Sequence, residues 1–438
     1  MLRLRYALLA ATLVTSTWLY ANPQQSLADL LVKKGVITQA EASGISPSGV
    51  VQSGLVNLLI EKGVISAAEA DSLAASAPAP APAPIASAPA SAPKQFTLAK
   101  DKLVTGLTIS GRIQGQMDVL STDYDNASDP GSETNLFMRR IYLGASAKFA
   151  DNLSGTVNAN FAKTSGTGKI EKAVIEYGMG DYHTLIAGYQ KTPMGFEETT
   201  SSSKIAAVER SVGTRYFTEQ LDLGARHTGL FLEGEYDGGM YFTIAATNPV
   251  QGAVSSSSST DKIAIWANIG WEGDVGEGTL NTGAGYARVP ETLSSGNTDS
   301  IWNLYANYNA GKFNILAELI GADLEGAGYM GDASPIAFTL LPSFKVSDDI
   351  EFVARYSQVD ADNGIGADIS STFRRAPENG SAKYNDVQAY YLGGNWYIRG
   401  NTLKLSAGYE WAKFEDNLSG SQGDADVSGF RTRVQLLF

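Results

Sequence analysis

The chain ends in Phe430-Arg431-Thr432-Arg433-Val434-Gln435-Leu436-Leu437-Phe438. Every second position gives Phe430, Thr432, Val434, Leu436 and Phe438, and the positions between give Arg431, Arg433, Gln435 and Leu437. Side chains of a strand alternate between two faces, so one face here is apolar and the other cationic and polar. Such a strand belongs either to a half-buried soluble sheet or to a sheet whose apolar face meets lipid. The rest of the chain decides between these.

Alternation is the rule from Lys94 onward. Leu107, Ile109, Gly111, Ile113, Gly115, Met117 and Val119 share one face, and Thr108, Ser110, Arg112, Gln114, Gln116 and Asp118 the other. Segments of the same kind recur through the chain, giving roughly sixteen strands. Short connections such as Asp151-Asn152, Ala310-Gly311 and Gly400-Asn401 tend to alternate with long Ser, Gly, Asp and Asn-rich ones at Ser121–Thr134, Lys191–Gln220, Pro249–Asp261, Pro290–Ser300, Ala361–Asn385 and Glu415–Val427. In hydrocarbon every backbone donor and acceptor needs a partner, which a closed barrel supplies. The pattern therefore predicts an all-β, transmembrane antiparallel β-barrel over 95–438, with short periplasmic turns and long, solvated outer loops. The polar positions then line a wet lumen. They mix Arg112, Arg140, Lys148, Lys172, Lys262, Arg355, Lys404, Arg431 and Arg433 with Asp118, Glu176, Glu272, Glu318, Glu351 and Glu410.

Composition fits this reading. After the first residues no apolar run approaches the ~20 residues of a membrane helix. The 46 glycines and the 16 Phe, 20 Tyr and 6 Trp suit strands, tight turns and interfacial aromatic belts. Cysteine is absent and His183 and His227 are the only histidines, which argues against thiolate or histidine metal sites; no cofactor is expected. A net charge of −13 argues against nucleic acid as a partner. An outer-membrane phospholipase or protease needs a nucleophile with His and an orienting Asn or Asp. Neither histidine lies in a recognisable motif, so no enzyme is expected.

Residues 1–21, with Arg3 and Arg5 before an apolar stretch, read as a secretory signal. In 22–76 the unit Leu27-Ala28-Asp29-Leu30-Leu31-Val32-Lys33-Lys34-Gly35-Val36-Ile37-Thr38 returns as Leu55-Val56-Asn57-Leu58-Leu59-Ile60-Glu61-Lys62-Gly63-Val64-Ile65-Ser66. Each unit is a short amphipathic helix stopped by glycine, with Thr38 or Ser66 capping the next helix ahead of Glu41 or Glu69. This small helical segment is expected in the periplasm. It is followed over 77–94 by an Ala/Pro tract that reads as a semi-rigid spacer.

Two stretches resemble the phosphate-selective porin O/P family. Phe137-Met138-Arg139-Arg140-Ile141-Tyr142-Leu143-Gly144 is similar to its paired-arginine strand. Ala187-Gly188-Tyr189-Gln190-Lys191-Thr192-Pro193-Met194-Gly195-Phe196-Glu197-Glu198, continuing to Val208-Glu209-Arg210-Ser211, resembles its passage from a strand through a Pro-x-Gly turn and a Glu-Glu pair into a loop folded inside the barrel. The terminal Phe438 is shared with outer-membrane barrels, whose assembly machinery recognises such an end. The resemblance implies a sixteen-stranded homotrimer in the bacterial outer membrane, with passive diffusion of ions and small hydrophilic solutes and a preference for anions such as phosphate. Where the best-known members carry ladders of lysines and rings of arginines, this lumen mixes both signs.

Lys191–Gln220 carries Lys191, Lys204, Arg210 and Arg215 beside Glu197, Glu198 and Glu209. Folded into the lumen, these charges would constrict the pore and set up a transverse field. Arg112, Arg140, Lys148, Arg355, Arg431 and Arg433 are the expected lumen charges. The alternative function is an envelope-anchoring or adhesin-type barrel that contacts the cell wall through 22–76.

Overall fold

The computed structural model describes residues 104–438 apart from 150–151, 163–167, 253, 255–261, 291–297, 329–330, 363–364, 381 and 419–420, together with the short strand β1 (Gln95–Phe96). The expected signal, helical repeat and Ala/Pro spacer lie outside the described residues.

The long strands follow in order as β2 (Gly106–Tyr124), β3 (Gly131–Lys148), β4 (Leu153–Asn160), β5 (Lys169–Met179), β6 (His183–Lys191), β7 (Arg226–Glu235), β8 (Met240–Thr247), β9 (Ala264–Val275) and β10 (Gly278–Pro290). They continue as β11 (Thr298–Ala310), β12 (Phe313–Gly328), β14 (Ile336–Lys345), β15 (Ile350–Asp360), β16 (Tyr384–Asn401), β17 (Leu403–Asn417) and β18 (Ala425–Leu437), with a three-residue β13 (Gly331–Ala333) at the tip of the β12–β14 hairpin. Each long strand pairs antiparallel with its neighbours in sequence. The last, β18, returns to β2 from Ala425↔Tyr124 to Leu437↔Arg112, which closes a sixteen-stranded barrel. The seam is completed by Phe438, whose backbone exchanges hydrogen bonds with Gly111 at 2.7 and 3.1 Å.

The alternating faces fall inside out relative to a soluble protein. On β18, Phe430, Val434, Leu436 and Phe438 are exposed, while Arg431, Arg433 and Gln435 are buried. On β2, Ile109, Ile113 and Val119 are exposed, while Gln114, Gln116 and Asp118 are buried. This is the surface a sheet presents to hydrocarbon, with the polar face turned to the interior.

Three expectations need correction. The loop read at Ser121–Thr134 is mostly strand, because β2 runs to Tyr124 and β3 begins at Gly131. The loop expected at Lys191–Gln220 runs on to Ala225, since the next strand begins at Arg226, and Leu221 and Leu223 join the buried interior. The loop read as solvated over Ala361–Asn385 turns into the barrel, where helix α3 (Ile369–Thr372) and Phe373 are packed inside. A fourth departure concerns the inner wall. Near the long-loop end, inward positions such as Trp266, Val289, Ile301, Val359, Val387 and Phe414 are apolar and packed against Phe217, Leu221, Leu223 and Phe373. The lumen there is a core built around inserted loops, and period-two patterning cannot distinguish an apolar residue facing such a loop from one facing lipid.

Gly429 on the inner face of β18 approaches β2 so closely that a Cβ there would lie 2.1 Å from the Val119 carbonyl oxygen, whereas one at Gly115 would meet only a Val434 methyl at 3.4 Å. Gly429→Ala is expected to weaken the closing seam by about 2 kcal/mol, the scale of overpacking a fixed site. The measurement is the temperature at which the folded barrel converts to the mobility of the unfolded chain in gel electrophoresis. It should fall for Gly429→Ala and hold for Gly115→Ala.

Candidate functional site

The connection 192–225 between β6 and β7 enters the lumen. Gly195 makes the turn at φ +79°, a backbone conformation that strains any residue with a side chain. It leads into helix α1 (Phe196–Thr199), where the backbone N–H groups of Phe196 and Glu197 donate to the buried Glu318 carboxylate of β12, the latter at 3.2 Å. The chain then crosses to the far wall. There Gln114 and Gln435 donate to the carbonyls of Ser202 and Ser203, Asn395 donates to Ala206, and Lys404 donates to Ile205. Inward polar side chains from β2, β16, β17 and β18 thus satisfy backbone that a buried loop would otherwise leave unpaired. The return leg runs through helix α2 (Val212–Arg215), capped by Ser211, whose hydroxyl accepts from Thr214 N–H at 3.1 Å.

Glu197 holds this turn. Its carboxylate accepts from Ser211 N and Oγ at 2.9 and 2.7 Å and from Thr214 Oγ1 at 2.8 Å, with Arg355 at 3.5 Å. Arg210 donates to the carbonyls of Glu197, Glu198 and Thr200 at the end of α1 and pairs with the Glu198 carboxylate at 3.0 Å, which Lys191 also meets at 3.0 Å. Burial alone would raise the Glu198 pKa, but Arg210 and Lys191 outweigh it and hold the group at about 2.

Glu209 is the hub of the loop. Arg139 and Arg215 reach it at 2.8 Å, Arg375 at 2.8 Å and Arg433 at 3.1 Å, and Gln116 donates to it at 3.0 Å. Burial works to raise its pKa, and the surrounding guanidiniums drive it far below the ordinary carboxylate range. The network extends through Arg431, which bridges Asp118 at 2.9 Å and Glu410 at 2.8 Å, and through Arg355, which pairs with Glu410 at 2.5 Å.

Beside this network lies a cavity of about 1040 Å³, lined by nine basic and six acidic side chains. Arg112 and Arg140 face it with no carboxylate partner among the described residues. Arg112 donates to the hydroxyls of Ser202 and Ser201 at 2.5 and 3.1 Å, and Arg140 donates to Gln114 at 2.9 Å. Farther round the wall, Glu233, Glu235 and Glu272 line the same cavity, with Tyr241 and Tyr305 joined through their hydroxyls at 2.7 Å. A second cavity of about 410 Å³ is lined by Lys204, Lys312, Lys345 and Glu351.

Of the residues expected at a constriction, Lys191, Glu198 and Arg210 gather on the larger cavity, while Glu197, Glu209 and Arg215 are buried within the loop. Lys204 is exposed and lines the smaller cavity. Among the expected lumen charges, Arg112 and Arg140 line the larger cavity, and Arg355, Arg431 and Arg433 are buried in the ion-pair network. Lys148 stands exposed at the end of β3. Strict alternation missed Arg139. A bulge opposite Gln114 and Gly115 breaks the register of β3, and Arg139 and Arg140 both turn inward. Arg374 and Arg375 were missed as well; their adjacent charges in a Ser, Gly and Asn-rich loop were the available signal.

Comparison with known proteins agrees with this architecture. The family described as phosphate-selective porin O and P matches residues 108–301. Porin O of Pseudomonas aeruginosa is 28% identical over 168 residues, a segment covering 32% of this chain and 35% of that protein. The chain thus aligns with about a third of that relative's length. Among solved structures, an anion-selective porin from Comamonas acidovorans superposes with a TM-score of 0.55 at 14% identity, covering 76% of this chain and 99% of that one. The outer membrane channel DcaP of Acinetobacter baumannii gives 0.53 at 12% identity, covering 77% and 99%. At these identities the likeness is one of fold. The match to the phosphate-selective porin O and P family over 108–301 and the sixteen-stranded barrel both make the chain similar to outer-membrane porins.

Proposed function

We propose that the protein is an outer-membrane channel for passive diffusion of ions and small hydrophilic solutes, with an anion preference set beside loop 192–225. The observation that carries this reading is the pair Arg112 and Arg140. Both face the larger cavity without a carboxylate partner among the described residues, and Arg210 and Arg139 stand on the same cavity. A guanidinium that is not neutralised lowers the energy of an anion passing at close range, most strongly where the walls exclude bulk water. Glu233, Glu235 and Glu272 farther round the cavity give the field a transverse component. The phosphate selectivity in the family's description is consistent with this arrangement, and phosphate is the permeant we place first. On this reading the chain acts as a channel and not as an enzyme.

Trimeric assembly belongs to the same proposal. Strands β4 and β8 have 8 residues and β6 has 9. A tilted strand of that length covers roughly 20 Å, short of the ~25 Å apolar band of an outer-membrane barrel. Neighbouring copies of the chain would shield this low wall from lipid.

Two measurements test the reading. In a planar bilayer under a potassium chloride gradient, the natural chain is expected to show an anion-selective reversal potential. Arg112→Gln with Arg140→Gln should move it towards cations, and an unchanged potential would place these arginines off the current path. The second concerns the loop itself. Glu198 and Glu209 hold their protons more weakly in the folded loop than in an unfolded chain. Their contribution is therefore full above the ordinary carboxylate range, ~4.3, and is lost as pH falls through the folded values, about 2 for Glu198. Pepsin at pH 4 should leave 197–215 uncut and should cut it as pH approaches 2. Glu209→Gln leaves several guanidiniums without their shared anion, a loss on the order of 3 kcal/mol or more. It should expose the same segment to pepsin already at pH 4, with the cut sites read by mass spectrometry.

A further inference from the structure

Among its described residues, the connection 361–383 between β15 and β16 adds no strand to the barrel, only the isolated bridge from Ala367 to Tyr384, and it is tied to loop 192–225 at several points. Gln220 donates to the Gly366 carbonyl at 2.5 Å and accepts from Asp368 N–H at 3.0 Å. Arg374 forms an ion pair with Glu219. Arg431 of the wall donates to the Arg374 carbonyl at 3.1 Å.

The next residue, Arg375, has φ +67°, a left-handed conformation that residues with side chains seldom adopt. Such a conformation persists only where the surroundings impose it. Here its guanidinium reaches Asp118 of β2 at 2.7 Å and Glu209 of the other loop at 2.8 Å, and lies 4.3 Å over the Phe137 ring of β3. One side chain thus joins the wall and both inserted loops, through two charged contacts with carboxylates that are themselves buried. Charge-assisted contacts of this kind to buried carboxylates are strong and directional.

We propose that loop 361–383 is a second constriction element and that Arg375 is the positioning residue that latches it to Glu209. The latch has two consequences. It keeps the long-loop end of the lumen closed over α3 and Phe373, so that flow is confined to the passage beside β2–β11. It also adds a positive charge beside Asp118 and Glu209, which Arg431 and Arg139, Arg215 and Arg433 already pair, so its loss makes the passage less favourable to an anion. The electrical consequences rest on the channel reading given above; the position of the loop does not.

The chain has no cysteine, so Thr372→Cys supplies a single reporter at a residue 1% exposed in α3. With Arg375 in place this thiol should resist a charged, water-soluble maleimide. In an Arg375→Gln background it should react about tenfold faster or more, as a locally opened segment does, with Arg375→Lys between the two. Conductance of Arg375→Gln should rise roughly 1.5-fold, and its reversal potential should shift towards cations. A folded Arg375→Gln barrel whose reporter stays protected and whose conductance is unchanged would overturn the latch. Should that variant fail to fold, excision of 368–380, which removes no barrel strand, replaces it: raised conductance supports a second constriction, and unchanged conductance in the folded barrel rejects it. Faster labelling with no current from any variant, the natural chain included, would keep the latch and reject the channel.

Discussion

The interior of this barrel depends on one buried carboxylate. Glu209 is 3% exposed and could not remain ionised there alone, because moving an unpaired charge out of water costs far more than a fold of this kind retains as net stability. The converse holds for the arginines about it. Arg139, Arg215, Arg375 and Arg433 come from β3, two different loops and β18; without the shared anion Arg139, Arg215 and Arg433 would have no carboxylate in the ion-pair network, and Arg375 would keep only Asp118. The pairing is therefore a condition on the whole assembly. The wall supplies cations that only an inserted loop can neutralise, and the loop carries anions that only the lumen can accept.

The connected network does not balance. Six arginines, Arg139, Arg215, Arg355, Arg375, Arg431 and Arg433, meet four carboxylates, Asp118, Glu197, Glu209 and Glu410. Arg112 and Arg140 add two more cations at its cavity edge. The excess has a structural origin, since bidentate guanidiniums can share a carboxylate that two lysines could not bridge with the same geometry. It also has an electrical one: positive charge held rigidly beside water, with low-dielectric protein behind it, acts on a permeant more strongly than the same charge on a mobile surface chain.

How much of this could be read from the sequence follows from what alternation encodes. Alternation reports which face of a strand is wet, so Phe430 to Phe438 revealed the inverted surface and the cationic inner row of Arg431 and Arg433. It says nothing once a register breaks or a loop supplies the partner. Arg139 was hidden by the bulge that brings it alongside Arg140, and alternation could not tell that Val387, Ala389, Phe414 and Val427 are buried inside, because the core they belong to includes residues of the inserted loops. The inward course of 192–225 was expected from family resemblance. That of 361–383 was not, because its polar composition satisfies a buried loop as readily as an exposed one: Asp368, Asn379 and Lys383 spend their polar groups on hydrogen bonds and ion pairs.

The overall charge of −13 would by itself favour cation passage, yet the cavity carries more basic than acidic side chains. The two facts are compatible because they act over different distances. Charge on solvated loops is screened within about 10 Å at moderate salt, so it weights which ions gather at the mouth and fades inside. On the proposed channel reading a permeant would pass next to Arg112, Arg140 and Arg210, where little electrolyte intervenes. On that reading selectivity is decided by the few groups beside the passage and not by composition. The effect of salt separates the two: raising it should screen charge on the solvated loops first, so on the proposed reading the anion preference read from the bilayer reversal potential should grow with ionic strength.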